Sequence, residues 1–211
     1  MHRRDLKASE KVFGPKHPDT LASASNLGSV LLSQGKYEEA EAMHRQALEG
    51  REKVLGSEHP DTLTSVNNLG SVLENQGKYE EAELMHRQAL EGRNKVLGPE
   101  YPDTLTSVSN LGSVLGSQGK YERAEELEVQ VMKTRKSVLG CEHPDTLASM
   151  GNLAFMLKAQ GHNKEAISLM VGCFRLRGQV LGSHHPCTIS SLEVLNNWAS
   201  EPKTSFCKHS Y

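Results

Sequence analysis

The chain has 211 residues, 36% of them hydrophobic and 24% charged, with a formal net charge of -2. That balance leaves no excess of basic charge with which to hold a polyanion, so nucleic acid is not an expected partner. The apolar runs are only a few residues long and the N-terminus has no signal-peptide core, so neither a membrane span nor secretion is indicated, and the expected location is cytoplasmic.

A fixed period organises the rest. HPDTL stands at 17, 59 and 143, PDTL follows Tyr101, and HPCTI stands at 185, so every start lies 42 residues after the last. Such a spacing marks stacked supersecondary units, none of which can bury its apolar face alone. Residues 1–16, MHRRDLKASEKVFGPK, match the second half of a unit, MHRQALEGREKVLGSE at 43–58. Complete copies follow at 17–58, 59–100, 101–142 and 143–184, and 185–199 opens a further copy. The repeat array is therefore 1–199, followed by a tail at 200–211.

Within the first complete copy the apolar spacing is helical. Leu21, Ala24, Leu27, Gly28 and Leu31 recur every three or four residues, and Ala40, Met43, Ala47, Leu48 and Val54 do so after a break. Pro18 suits a first helical turn, where its missing N–H would go unpaired, and Asp19 places a negative charge at the positive end of the helix dipole. The Gln34-Gly35-Lys36 step supplies a left-handed C-cap. Helix A is predicted over Pro18 to Ser33 and helix B over Tyr37 to Leu55, with pairs such as Glu41 with Arg45 and Glu49 with Lys53, and a stop at Gly56. The mid-helix glycines Gly28, Gly70 and Gly112 are expected to let helix B lie close against helix A, with Ala154 in that role in the fourth copy. Gly50 and Gly92 give way to Thr134 and Leu176 in later copies, so they are expected to hold no contact the fold requires.

Gly28, Ala40 and Ala47, with Leu27 before the first and Tyr37 between, resemble the small-residue signature of the tetratricopeptide repeat. NNLGSVLENQGKYEEAE at 67–83 and RQALEGRNKVLGPE at 87–100 resemble more specifically the 42-residue repeats of kinesin light chain. Near-identical tandem copies also occur in the repeat regions of fungal NOD-like, NB-ARC-containing receptors. The resemblance implies an all-α fold, a right-handed α-solenoid of antiparallel helix pairs with helix A lining a concave groove, and no strand.

No constellation of catalytic groups recurs, so no enzyme activity and no cofactor is expected. GSVLLSQGK at 28–36 has six residues between its glycines and Tyr37 where a phosphate loop needs Ser or Thr. His17, His59, His143 and His185 stand once per repeat at helix starts, where capping accounts for them and no metal pair is offered. Glu38, Glu39 and Glu41 lie in a first turn where the dipole accounts for them. Cys141, Cys173, Cys187 and Cys207 form no CxxC pair and read as free thiols.

What recurs on helix A is polar and uncharged. Asn26, Asn68, Asn110 and Asn152 share one repeat position, with Ser25, Asn67 and Ser109 just before it and Ser29, Ser71 and Ser113 three after it. The resemblance places these on the groove, where asparagine can donate to and accept from the backbone of an extended peptide and serine leaves room for its side chains. The competing reading is that the asparagines bond to neighbouring helices and fix the stacking. Charged residues on the four complete A helices, beyond Asp19, Asp61, Asp103 and Asp145, are Glu74 and Lys158, too few for a carboxylate clamp. The expected function is therefore a scaffold for a protein or peptide partner. The alternatives are the sensing region of a NOD-like receptor or a kinesin light chain-like cargo adaptor. Leu6, Val12 and Phe13 near one terminus and Ile189, Leu192, Leu195 and Trp198 near the other suggest either end-to-end self-association or membership in a longer parent protein, unless Phe206 and Tyr211, beyond Pro202, fold back as cover.

Overall fold

The structure, a computed structural model, describes residues 2–200. Ten α-helices and no strand make up the described residues: α1 (His2–Phe13), α2 (Pro18–Ser33), α3 (Tyr37–Leu55), α4 (Pro60–Asn75), α5 (Tyr79–Leu97), α6 (Pro102–Ser117), α7 (Tyr121–Leu139), α8 (Pro144–Ala159), α9 (Asn163–Leu181) and α10 (Pro186–Ser200). The even-numbered helices are the A helices of the repeat and the odd-numbered ones the B helices. Pro202, Phe206, Cys207 and Tyr211 lie outside the described residues.

Two compact units, Met1–Val131 and Met132–Tyr211, divide the chain within α7. In the first unit each helix from α1 to α6 packs on the next, and the A helices α2, α4 and α6 also touch in succession. In the second, α8 packs on α9 and α9 on α10. Connections of a few residues make consecutive helices hairpins.

The helix boundaries follow from local chemistry. Each A helix opens on proline, and before all of them except α6, where Tyr101 makes no side-chain cap bond, a histidine caps the turn: His17 Nδ1 accepts from Asp19 N at 3.3 Å, and His59, His143 and His185 accept from Asp61, Asp145 and Cys187 N at 3.2 Å. Gly35, at φ 72°, closes α2, donating to Leu32 O at 2.9 Å while Lys36 N reaches Leu31 O at 2.9 Å. This is the paired bonding of a Schellman cap. Gly56 ends α3 at φ 88°, ψ 163°, a region open in practice only to glycine. Arg45 pairs with Glu41 at 2.8 Å. Glu49 and Lys53 form no ion pair among the described residues.

Small side chains set the distance between A and B helices. Ala24, Ala40 and Ala47 are completely buried. At Gly28 an added Cβ would lie 2.7 Å from His44 Nε2, and at Gly70 2.8 Å from His86 Cε1. The glycines do admit a close helix, and what they admit is a histidine ring. The expectation for Gly50 and Gly92 is corrected. A Cβ there would lie 2.3 Å from Leu21 Cδ2 and 2.4 Å from Leu63 Cδ2, and both leucines are buried with little room to retreat. Larger residues in later copies do not show tolerance here, because each position depends on its own neighbours.

An arginine on each complete B helix ties it to the next A helix. Arg51 Nη1 donates to Asp61 O at 3.2 Å and Ser65 Oγ at 2.7 Å. Arg93 Nη1 reaches Asp103 O and Ser107 Oγ at 2.9 Å, and its Nη2 reaches Thr64 Oγ1 at 3.0 Å. Arg135 bonds Ser149 Oγ at 2.8 Å, and Arg177 bonds Ser191 Oγ at 2.7 Å. A second tie uses the B-helix glutamate. Glu41 accepts from Gln76 Nε2 at 2.8 Å and Lys78 Nζ at 3.2 Å, and Glu83 from Lys120 Nζ at 3.1 Å. Desolvation alone would raise the Glu83 pKa, but hydrogen bonds from Arg87, Lys120 and Gln118 outweigh it and hold the carboxyl at about 2. These glutamates thus join repeats as well as meeting the helix dipole.

Candidate binding site

The polar rows on the A helices separate by depth. Ser25, Asn67 and Ser109 are each only 7% exposed. Asn67 Oδ1 meets His86 Nδ1 at 3.1 Å, and Ser109 Oγ donates to Glu128 Oε2 at 2.8 Å, so this row faces the B helix. One residue on, the row changes face, because each step along a helix turns the side chain by about 100°. Asn26 is exposed, and Asn68 and Asn110 are half-buried. Asn110 Nδ2 donates to Asn67 Oδ1 at 3.1 Å, joining α6 to α4. Asn26 and Asn68 have no side-chain hydrogen bond among the described residues. In the second unit Asn152 is exposed on α8.

The serine row lies at the surface with its hydroxyls turned to the protein. Ser29 Oγ donates to Ser25 O at 3.2 Å and Ser71 Oγ to Asn67 O at 3.3 Å. Ser113 Oγ donates to Glu74 Oε1 at 2.8 Å, which Ser117 Oγ also reaches at 3.3 Å. The surface shared by α2, α4 and α6 is therefore small-residue and polar, with the amides of Asn26 and Asn68 at equivalent places on adjacent helices.

Sequence reasoning missed the layer beneath. His44, His86 and Glu128 occupy one repeat position on the B helices and are at most 1% exposed. Burial, with a smaller contribution from the nearby guanidinium of Arg51 or Arg93, lowers the pKa of both histidines to about 4. His44 Nδ1 and His86 Nε2 have no partner, as befits neutral rings. The signal was present in the spacing, since His44 falls between Ala40 and Ala47 on the apolar stripe of helix B.

Tetratricopeptide repeat models match residues 1–53, 24–95 and 61–137, and a second model of that description matches 146–186. The chain belongs to the tetratricopeptide repeat family. Two crystal structures of a Podosopora anserina protein, assigned as a kinesin light chain with nearly identical TPR-like repeats, resemble this TPR chain at TM-scores of 0.70 and, for a point variant, 0.71. Each is 30% identical and covers 86% of this chain and 86% of that one, so the repeats are of the kinesin light chain-like type. BtubC (BKLC) from P. vanneervenii shares the fold at a TM-score of 0.69 and 22% identity, covering 88% of this chain and 73% of that one. No curated protein matches the sequence. Among the described residues no helix of this TPR protein is long and apolar enough to cross a membrane.

Proposed function

We propose that this TPR chain is a non-catalytic protein–protein interaction scaffold, working in the cytoplasm without a cofactor, that takes an extended peptide segment of a partner along the face of its A helices. The observation that carries this reading is the pair of amides on Asn26 and Asn68, each without a side-chain hydrogen bond among the described residues, at the same position of adjacent helices. An extended segment has unpaired backbone N–H and C=O groups, and a primary amide both donates and accepts. Ser29 and Ser71 leave space beside them. Exposed Val12 and Phe13 on α1 and Ile189 and Leu192 on α10 support self-association as a further property of the scaffold.

The test is selection of binding peptides from an unbiased display library, followed by titration against the Asn26→Ala, Asn68→Ala double variant. Affinity should fall by about 1 to 3 kcal/mol while helicity is kept. Unchanged binding with a large loss of thermal stability would make the asparagines structural and overturn the reading. A cargo-adaptor role is favoured by one observation, the likeness to a protein assigned as a kinesin light chain.

A further inference from the structure

Within the first unit, Glu74 is the one charged residue that α2, α4 and α6 carry beyond their first-turn aspartates, and its equivalents in the adjoining copies are Leu32 and Gly116. Both hydroxyls that reach it take the same oxygen. Ser113 Oγ donates to Glu74 Oε1 at 2.8 Å and Ser117 Oγ at 3.3 Å, one turn apart on α6, and together they use the two acceptor positions of that oxygen. Among the described residues Oε2 has no hydrogen bond and Glu74 no ion pair. The half-buried carboxylate is thus held in one orientation with one oxygen open.

Its setting calls for a cation. Glu74 lies in the last turn of α4, at the negative end of the helix dipole, and α2, α4 and α6 have no basic residue in their last turns. The lysines just beyond those turns leave it unpaired. Lys78 is drawn to Glu41 at 3.2 Å and Lys120 to Glu83 at 3.1 Å, while Lys36 follows α2 and Glu74 turns the other way, toward α6. Geometry then separates the two basic side chains a partner could offer. A guanidinium fork engages both oxygens of a carboxylate, and Oε1 is already filled, whereas an ammonium needs one oxygen.

We propose that Glu74 determines the specificity of the A-helix face, and that the partner segment presents it with a lysine. The proposal rests on the reading of that face as a binding surface and names a side chain of its ligand. Asn26 and Asn68 hold the backbone of the segment. Glu74, six residues beyond Asn68 and about 9 Å further along α4, receives the ammonium at the end of a flexible four-carbon stem.

The experiment selects peptides from a random display library against the intact protein and against Glu74→Gln, which keeps an oxygen for the two serines and removes the charge. Lysine should be enriched on the wild type and not on the variant. The strongest wild-type peptide, made synthetically, should bind Glu74→Gln at least about 5-fold more weakly, with far-UV circular dichroism and melting temperature unchanged. Its version with glutamine in place of lysine should lose as much on the wild type and nothing further on the variant, and an arginine version should bind less tightly than the lysine one. The proposal is overturned if lysine is not enriched, if arginine binds as tightly, or if Glu74→Gln binds the peptide equally well, in which case Glu74 only joins α4 to α6. Peptides that depend on Asn26 and Asn68 but not on Glu74 would refute the lysine site and leave the scaffold reading in place, whereas a library that yields no binder would overturn both.

Discussion

His86 Nδ1 lies 3.1 Å from Asn67 Oδ1, inside the notch that the missing side chain of Gly70 leaves in α4. Asn110 Nδ2 donates to the same oxygen from α6, so one carbonyl joins a B helix to two A helices. With Asn67 Oδ1 as acceptor, the His86 proton sits on Nδ1, and Nε2 is left buried without a partner. A second proton would be added in a closed space beside the Arg93 guanidinium, and both the burial and that like charge oppose it.

Acid should therefore destabilise the first two complete repeats. The folded pKa of about 4 for His44 and His86 lies below the ordinary 6.5, so the unfolded chain binds more protons between these values. The stabilisation is fully present above pH 6.5 and is lost as pH falls through 4, on the order of 3 kcal/mol for each histidine. Glu83, held at about 2, adds a separate loss only below about pH 4.5. Urea unfolding at pH 7 and pH 5 should show a lower midpoint at pH 5 for the wild type and a much smaller change for His44→Met, His86→Met. Equal sensitivity in both proteins would remove the histidines as the cause.

Gly70→Ala should destabilise, although alanine is the better helix former by about 1 kcal/mol at an exposed site. The new Cβ would stand 2.8 Å from His86 Cε1, and the ring is enclosed, so the expected net cost is about 1 to 3 kcal/mol. The fourth copy pairs Ala154 with Met170, both buried. Adding His86→Met to Gly70→Ala should recover much of the loss, because an unbranched thioether can fit beside the methyl group. Thermal melts of the single and double variants decide this, and a neutral or stabilising Gly70→Ala would mean that the ring moves freely.

Arg93→Ala should cost about 1 to 3 kcal/mol by leaving Ser107 Oγ, Thr64 Oγ1 and Asp103 O without their shared donor. Lysine should not rescue it, since a single ammonium cannot reproduce the forked geometry. Denaturant midpoints for both variants test the point. Wild-type stability in Arg93→Lys would show that charge alone suffices.

Exposed Val12, Phe13, Ile189 and Leu192 should make association concentration-dependent in sedimentation velocity. Replacing Phe13 and Leu192 with serine should shift the population toward monomer. A wild-type protein that stays monomeric at the highest attainable concentration would contradict this expectation.

Helix identity and extent were legible from local chemistry. Proline at 18, the Gln34-Gly35-Lys36 step and the glycine at 56 determine where α2 and α3 begin and end, because caps and positive-φ turns depend on neighbours a few residues away. The 42-residue period carried the family for the same reason, each copy restating one local instruction. Depth was a different matter. Asn67 and Asn68 are adjacent and chemically alike, yet one is sealed against His86 and the other reaches the surface. His17 and His44 are the same residue, one a cap and the other a neutral ring in a glycine notch. Which of two neighbouring amides faces a partner helix, and whether Gly50 or Gly92 can accept a side chain, depends on atoms brought close only when helices from distant parts of the chain pack together. Burial, hydrogen-bond satisfaction and pKa are properties of that packed environment, and a sequence pattern does not contain them until the tertiary structure brings the partners into contact.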